Sequence, residues 1–341
     1  MLNLIFTLDY EIYGNGQGSL RDLVYEPADR LLAIFRKFNA RFVAFVEVAE
    51  LEMIEARGTD PAINLVQQQI RDFYREGFEL GLHLHPQWYN GRYENGKWHL
   101  DYSEYNLCTL PEDRIAGIVD RSIGYFRKVA GTADFTPFSF RAGNWLFQPT
   151  RKAAGVLAAR GIRVDSSVFK GGVQHQVKLD YRRAQKNGYF WKFADDVNVP
   201  VAQGLMLELP IHTRMVRPWQ IFTAKRVGLQ KKDSSTAQSR KSKLYRLMDF
   251  LRFSQPLKLD FCRMPLDELT EMVDAVIKED HKSPGSYRPL VAIGHTKDLV
   301  DFETVESFLS YLKSNNIPVT TFKEVYEKIG GFKGSRVQGV Q

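Results

Sequence analysis

The chain has 341 residues, 44% hydrophobic and 26% charged, with a net charge of +7. That length buries a full core, as one large α/β domain with insertions or as two ordinary domains, and the composition excludes wholesale disorder. Two cysteines, Cys108 and Cys262, exclude a disulfide framework or a multi-thiolate metal site and suit a reducing cytoplasm, the expected compartment. The opening apolar stretch, Leu2 to Leu8, is broken by Asn3 and Thr7 and meets Asp9 at once. It is too short for a signal peptide or a spanning helix, and no other run reaches spanning length.

In chain order, a strand is expected over 3–9, a helix over about 27–38, a strand over 41–48 and an amphipathic helix over 61–76 opened by Asp60-Pro61. A strand over 79–84 follows Gly77, and Asn90-Gly91 with Asn95-Gly96 marks a small hairpin. Next come a helix over 111–129, a strand over 137–141, a helix over 149–159, a strand over 162–166 and a β-rich stretch over 188–210. After a basic segment follow a helix over 265–279, a strand over 289–294, a helix over 302–314, a strand over 317–321 and a last helix that stops before Gly330-Gly331. The alternation implies α/β architecture, a parallel sheet closed or nearly closed into a barrel. Nothing before Arg214 reads as a linker, so residues 1–330 are expected to form a single domain, with 331–341 as a flexible tail.

The basic character is concentrated between Arg214 and Arg263, where thirteen Lys or Arg stand against Asp233, Asp249 and Asp260. Residues 214–263 therefore read as an insertion with a polar, loop-like centre at 231–241. Its flanks, with Trp219, Ile221 and Phe222, then Leu244, Tyr245, Leu247, Met248, Phe250, Leu251 and Phe253, alternate apolar and basic residues at roughly helical spacing. Such a segment could lie on an anionic membrane, at the inner face, or cover a polyanionic or lipid-linked substrate. The plainer reading is a surface excursion with solvated charges, and no nucleic-acid reading module is present.

Short polar clusters end the apolar runs: Asp9 and Glu11, His83 and His85, Arg141, and His295. Residues two apart on a strand share a face, so Asp9 and Glu11 point together, as do His83 and His85. Paired carboxylates repel unless a cation or arginine intervenes. Two imidazoles with a carboxylate from a neighbouring strand form a metal shell with open positions, the machinery of a metal-dependent hydrolase.

In order, these residues resemble the polysaccharide deacetylases, carbohydrate esterase family 4, in a divergent form. Thr7-Leu8-Asp9-Tyr10-Glu11 is similar to the first motif, His83-Leu84-His85-Pro86 to the second, Phe140-Arg141-Ala142-Gly143-Asn144-Trp145 to the third, Val164-Asp165-Ser166-Ser167 to the fourth, Leu207-Glu208-Leu209-Pro210 to a following strand, and Ile293-Gly294-His295-Thr296 to the fifth. The second motif departs from the usual His-x-x-x-His, and the third lacks its proline. The resemblance implies a distorted seven-stranded (β/α) barrel that removes an N-acetyl or O-acetyl group from a sugar or glycan. It also implies a divalent metal, zinc first among Co, Ni, Mn and Fe, held by Glu11, His83 and His85. In this scheme Asp9 is the general base, Arg141 its partner, Asp165 an orienting acid and His295 the general acid. Trp88, Tyr89, Trp145 and Trp191 are candidates for sugar stacking, and Glu208 for substrate binding. The competing expectations are a retaining glycosidase on a related barrel, with Asp9 or Glu11 facing Glu208, and a non-catalytic protein that binds a glycan or lipid-linked sugar.

Overall fold

A computed structural model describes residues 1–217, 219 and 254–330. Most of the basic segment expected at 214–263, and the tail expected at 331–341, lie outside the described residues. The strands are β1 (Leu2–Tyr10), β2 (Val43–Glu47), β3 (Glu79–Leu84), β4 (Arg92–Glu94), β5 (Lys97–His99), β6 (Ser139–Ala142), β7 (Val164–Asp165), β8 (Val173–Gln174), β9 (Leu179–Asp180), β10 (Trp191–Phe193), β11 (Met206–Glu208), β12 (Thr213–Val216), β13 (Gln255–Lys258) and β14 (Arg288–His295). The helices are α1 (Glu26–Lys37), α2 (Val48–Arg57), α3 (Ile63–Arg75), α4 (Glu112–Ala130), α5 (Arg151–Ala159), α6 (Leu266–Lys282), α7 (Phe302–Ser314) and α8 (Phe322–Lys328).

Eight strands form one curled sheet in the order β10-β11-β7-β6-β3-β2-β1-β14. Seven of them, from β11 to β14, run parallel, and β10 is added antiparallel to β11 at the edge. The seven parallel strands are those of the expected barrel, and β10 at the edge makes the sheet mixed and eight-stranded. Its far edges approach through isolated bridges, Phe169 to Ile211, Ile211 to Val291 and Asp260 to Ile293, rather than through a continuous ladder.

All nine residues of β1 are buried, as expected of a parallel strand covered on both faces. Its two faces differ in chemistry. Phe6 packs edge-on against Phe35 of α1 and Phe308 of α7, and the Tyr10 hydroxyl donates to Gln69 of α3 at 2.7 Å, so the even positions seat the helical layer. Thr7 and Asp9 point the other way, into the barrel, where both meet Arg141. The helices bury matching stripes: Ala28, Leu31, Leu32 and Phe35 on α1, and Ile63, Val66, Ile70 and Phe73 on α3. Each fully buried large apolar side chain contributes roughly 1.5–3 kcal/mol.

Two elements differ from expectation. Helix α2 follows β2 without a loop, because the Glu47 carboxylate itself caps it, accepting from the backbone N–H groups of Ala49 and Glu50. The strand expected at 317–321 is a single bridge from Val319 to Leu4. β2 meets β1 only from Thr7 onward, and the Leu4 backbone below that point is served by Pro318 and Thr320 instead. Among the described residues no helix is long and apolar enough to cross a membrane.

Candidate metal and catalytic site

The register of the parallel strands gathers the polar residues at one rim. Asp9 on β1 lies opposite His295 on β14, Glu47 on β2 opposite His83 on β3, and His83 opposite Arg141 on β6. Glu11 and His85 sit just beyond the ends of their strands. Carboxyl ends of parallel strands are where α/β barrels place their chemistry.

Glu11, Glu47, His83 and His85 each offer a ligand atom within 4.8 Å of the others, and all four are buried. Glu11 Oε2 lies 3.5 Å from His83 Nε2 and 3.2 Å from His85 Nε2. His83 Nδ1 is 2.8 Å from the Arg141 carbonyl oxygen, which only accepts, so Nδ1 carries a proton, and in the neutral ring Nε2 turns its lone pair toward Glu11. A lone pair facing a carboxylate is repulsive until a proton or a cation lies between them. At His85 the amide groups of Gln87 and Asn144 both approach Nδ1 at 3.2 Å, while Gln87 Oε1 is buried without a partner. Both amide nitrogens can donate to Nδ1, which leaves the proton of a neutral His85 ring on Nε2, facing Glu11 Oε2.

The local charge balance points to the same conclusion. Glu11, Glu47 and Glu50 are three buried carboxyls beside one ammonium, Lys297, whose Nζ reaches Glu11 Oε1 at 2.7 Å. Glu47 Oε2 and Glu50 Oε2 have no hydrogen-bond partner. Burial, reinforced by the neighbouring acids, pushes Glu47 and Glu50 well above the usual carboxylate range. Burial also opposes ionisation of Glu11, but Lys297, His85 and His83 outweigh it and hold this carboxyl well below its ordinary value. Two imidazoles and two carboxylates, one with an orphaned oxygen, are a donor set that fits a divalent ion.

Beside this cluster lies the catalytic candidate. Arg141 is fully buried: Nη1 donates to Asp9 Oδ1 at 2.6 Å, Nη2 to Thr7 Oγ1 at 2.9 Å and Nε to the Ser166 carbonyl at 2.9 Å, with Phe45 4.2 Å beneath the guanidinium. Burial raises the Asp9 carboxyl, but Arg141, His83 and His295 more than offset this and keep it ionised below its usual range. Asp9 Oδ2 lies 3.4 Å from His295 Nε2, and His295 Nδ1 faces Asp298 Oδ2 at 3.6 Å. Burial pushes the His295 imidazole down to about 4, which favours the neutral ring at pH 7.

The other candidates fall in several places. Asp165 is buried on β7, the strand next to that of Arg141, accepting from Ser167 Oγ at 2.7 Å and Ser167 N at 3.0 Å, and it is the register partner of Glu208. Burial and the neighbouring Asp165 push Glu208 well above the carboxylate range, and Glu208 accepts from the Val168 N–H; it presents no surface to a substrate. The acid that faces His295 is Asp298. Trp88 and Trp191 are fully buried. The Tyr89 hydroxyl is tied to Ser122 at 2.8 Å and Glu52 at 3.1 Å. Only Trp145 among the aromatic candidates reaches the site, with its ring centroid 6.3 Å from that of His295. It is held there by a backbone with φ of 54° at Asn144 and 60° at Trp145, a left-handed conformation that is costly for an indole-bearing residue.

Sequence reasoning missed Glu47, Glu50, Lys297 and Asp298. The signal for Glu47 was present, a lone acid at the end of the apolar run Phe42 to Val46. Gly143 is a further support: a Cβ there would meet the Leu84 carbonyl at 2.6 Å and the His85 ring at 2.8 Å. Gly143→Ala is therefore expected to weaken divalent-ion affinity about 10–100-fold, the usual cost of disturbing what orients a ligand, as read by calorimetric titration.

No protein-family model matches the chain, and no curated protein does. Solved structures do resemble it. A Mycobacterium smegmatis protein described as a polysaccharide deacetylase is 16% identical, with a TM-score of 0.57 over 99% of this chain and 93% of that one. A Pseudomonas aeruginosa PAO1 protein described in the same way is 12% identical, with a TM-score of 0.50 over 99% and 92%. A GH57 branching enzyme from Thermococcus kodakaraensis is 12% identical, with a TM-score of 0.55 over 98% of this chain and 72% of that one. The chain thus has the curled (β/α) barrel fold found in the polysaccharide deacetylase structures.

Proposed function

We propose that this chain is a metal-dependent carbohydrate deacetylase of the polysaccharide deacetylase type, removing an acetyl group from an N- or O-acetylated sugar or glycan intermediate. The observation that carries the reading is the juxtaposition of the buried Glu11-His83-His85 cluster with the Asp9-Arg141-His295 group. We assign the ligand role to Glu11, His83 and His85, with Glu47 as an additional donor, and zinc as the first candidate ion. Held there, a divalent cation would lower the pKa of water and polarise the acetyl carbonyl.

The chain's own groups supply the rest. Arg141 fixes the Asp9 carboxylate in place and keeps it ionised, ready to take a proton from attacking water. His295, neutral at rest, lies within reach of Asp9 to receive that proton and pass it to the leaving nitrogen or oxygen. Asp298, with Arg263 on its Oδ2 at 2.6 Å, faces the opposite ring nitrogen of His295 and positions it. Trp145 flanks the group as the aromatic wall for a sugar. Residues 1–330 would form the catalytic domain and 214–263 an insertion that meets a lipid-linked substrate or an anionic membrane face.

A retaining glycosidase would need a second carboxylate across the cleft from Asp9 or Glu11. Glu208, the candidate for that part, is turned to Asp165 and Val168, which favours the deacetylase reading over it. The test is acetate release from N-acetylglucosamine oligomers by protein stripped with a chelator and reloaded with zinc or cobalt. Release restored only by metal supports the assignment; none under either condition overturns it.

The site also predicts a pH effect. His83 is raised above its ordinary value despite burial, chiefly by Glu11 and Asp9, and Glu47 is raised by burial, so both hold protons more tightly in the folded chain. Protons compete with the ion, and metal affinity must grow as pH rises. The increase in melting temperature on adding zinc is expected to be larger at pH 8 than at pH 5.5, measured by calorimetry at fixed ion concentration.

A further inference from the structure

Lys258, at the end of β13, brings a positive charge to the rim that the mechanism does not use. Its Nζ lies 3.0 Å from the centroid of the Trp145 ring and 4.3 Å from that of Phe169, so the ammonium is seated on two aromatic faces. The other cations around the site are neutralised: Arg141 by Asp9, Arg263 by Asp298, Lys297 by Glu11. Among the described residues the Lys258 ammonium makes no ion pair and no hydrogen bond. It also covers one face of Trp145, the aromatic that stands beside His295, so a sugar entering on that side meets an ammonium. β13 joins β12 in a two-stranded ribbon whose register sets Lys258 opposite Thr213, which fixes the strand end and with it the lysine's stem.

We propose that Lys258 is a specificity-determining residue that receives an anionic substituent, a phosphate or a carboxylate, on the acetylated sugar. The inference rests on the deacetylase reading for the sugar and on the geometry of Lys258 for the anion. A fixed, unpaired cation beside a reaction centre is worth most to a ligand that brings its own negative charge, because the charge-assisted contact forms where water is already partly excluded. Desolvation pushes the Lys258 ammonium down to about 7, with Arg141 and Arg263 also lowering it and Asp260 and Asp9 opposing them. An arriving anion offsets that cost. The excess of thirteen basic residues over three acids between Arg214 and Arg263, the stretch that contains Lys258, gives the chain a matching long-range attraction for anions.

The test is isothermal titration of the zinc-loaded full chain with four probes: N-acetylglucosamine, its 1-phosphate, its 6-phosphate and N-acetylmuramic acid. The expected result is that at least one charged sugar binds the wild type about tenfold more tightly than the neutral one, the scale of one charge-assisted contact. That advantage should vanish in Lys258→Met, which keeps the apolar stem, and persist in Lys258→Arg, which keeps the charge. The 1- and 6-phosphates against the carboxylate of N-acetylmuramic acid identify which anion is read. Equal binding of charged and neutral sugars, or an advantage retained by Lys258→Met, overturns the proposal. Acetate release assayed in parallel separates the two readings: a charge preference without acetate release counts against the deacetylase assignment alone, and acetate release without a charge preference counts against Lys258 alone.

Discussion

Asp9→Asn is expected to lower the rate of acetate release by about 10²- to 10⁴-fold, the usual contribution of a positioned general base. The substitution is nearly isosteric, and the amide oxygen can still accept from Arg141 Nη1, which now sits 2.6 Å from Oδ1. The cluster of Glu11, Glu47, His83 and His85 does not include Asp9, so metal content should stay near that of the wild type. Steady-state kinetics beside metal analysis checks both halves. A variant that keeps full activity would point to a binding protein or to a base elsewhere, and one that loses its metal would assign Asp9 to the ligand set.

Arg141→Met should give the largest loss of stability, about 3–5 kcal/mol, because it leaves the Asp9 carboxylate buried without its partner. The guanidinium also satisfies Thr7 Oγ1, the Ser166 carbonyl and Ser166 Oγ, and its removal orphans acceptors on β1 and beyond β7 together. Arg141→Lys should lie between the two, since an ammonium cannot span Asp9, Thr7 and Ser166 with one planar fork. The urea midpoint at constant slope reads the effect. A loss below about 1 kcal/mol for the methionine variant would mean that Asp9 becomes protonated or rehydrated at little cost.

Much of the site was legible because it rests on strand periodicity. Asp9 and Glu11, like His83 and His85, are separated by one apolar residue, and a period of two places each pair on one face whatever the tertiary context. The alternation of apolar runs with amphipathic stretches likewise made the parallel sheet legible. What required the structure depends on which strands are neighbours. Glu47 ends an apolar run as Asp9 does, but its value as a donor appears only when β2 is set against β3 with Glu47 opposite His83. Helix α2 was hidden because its cap is that same glutamate, with no turn residue between strand and helix. Asp165 and Glu208 stood out on the same pattern of short polar clusters, and only the register shows that they face one another. Apolar pattern alone cannot separate a wall aromatic from a core aromatic, and Trp88 and Trp145 fell on opposite sides of that line. Lys258 and Asp298 come to the site from a ribbon and from the turn after β14, positions that carry no periodic signal.

The most direct measurement of the central claim is the metal content of the purified chain beside that of His83→Ala/His85→Ala, each equilibrated with micromolar zinc and dialysed. The account predicts one equivalent of divalent ion in the wild type and its loss in the double variant, with the fold retained by circular dichroism. A wild type that emerges free of metal, or a variant that holds as much as the wild type, would contradict it.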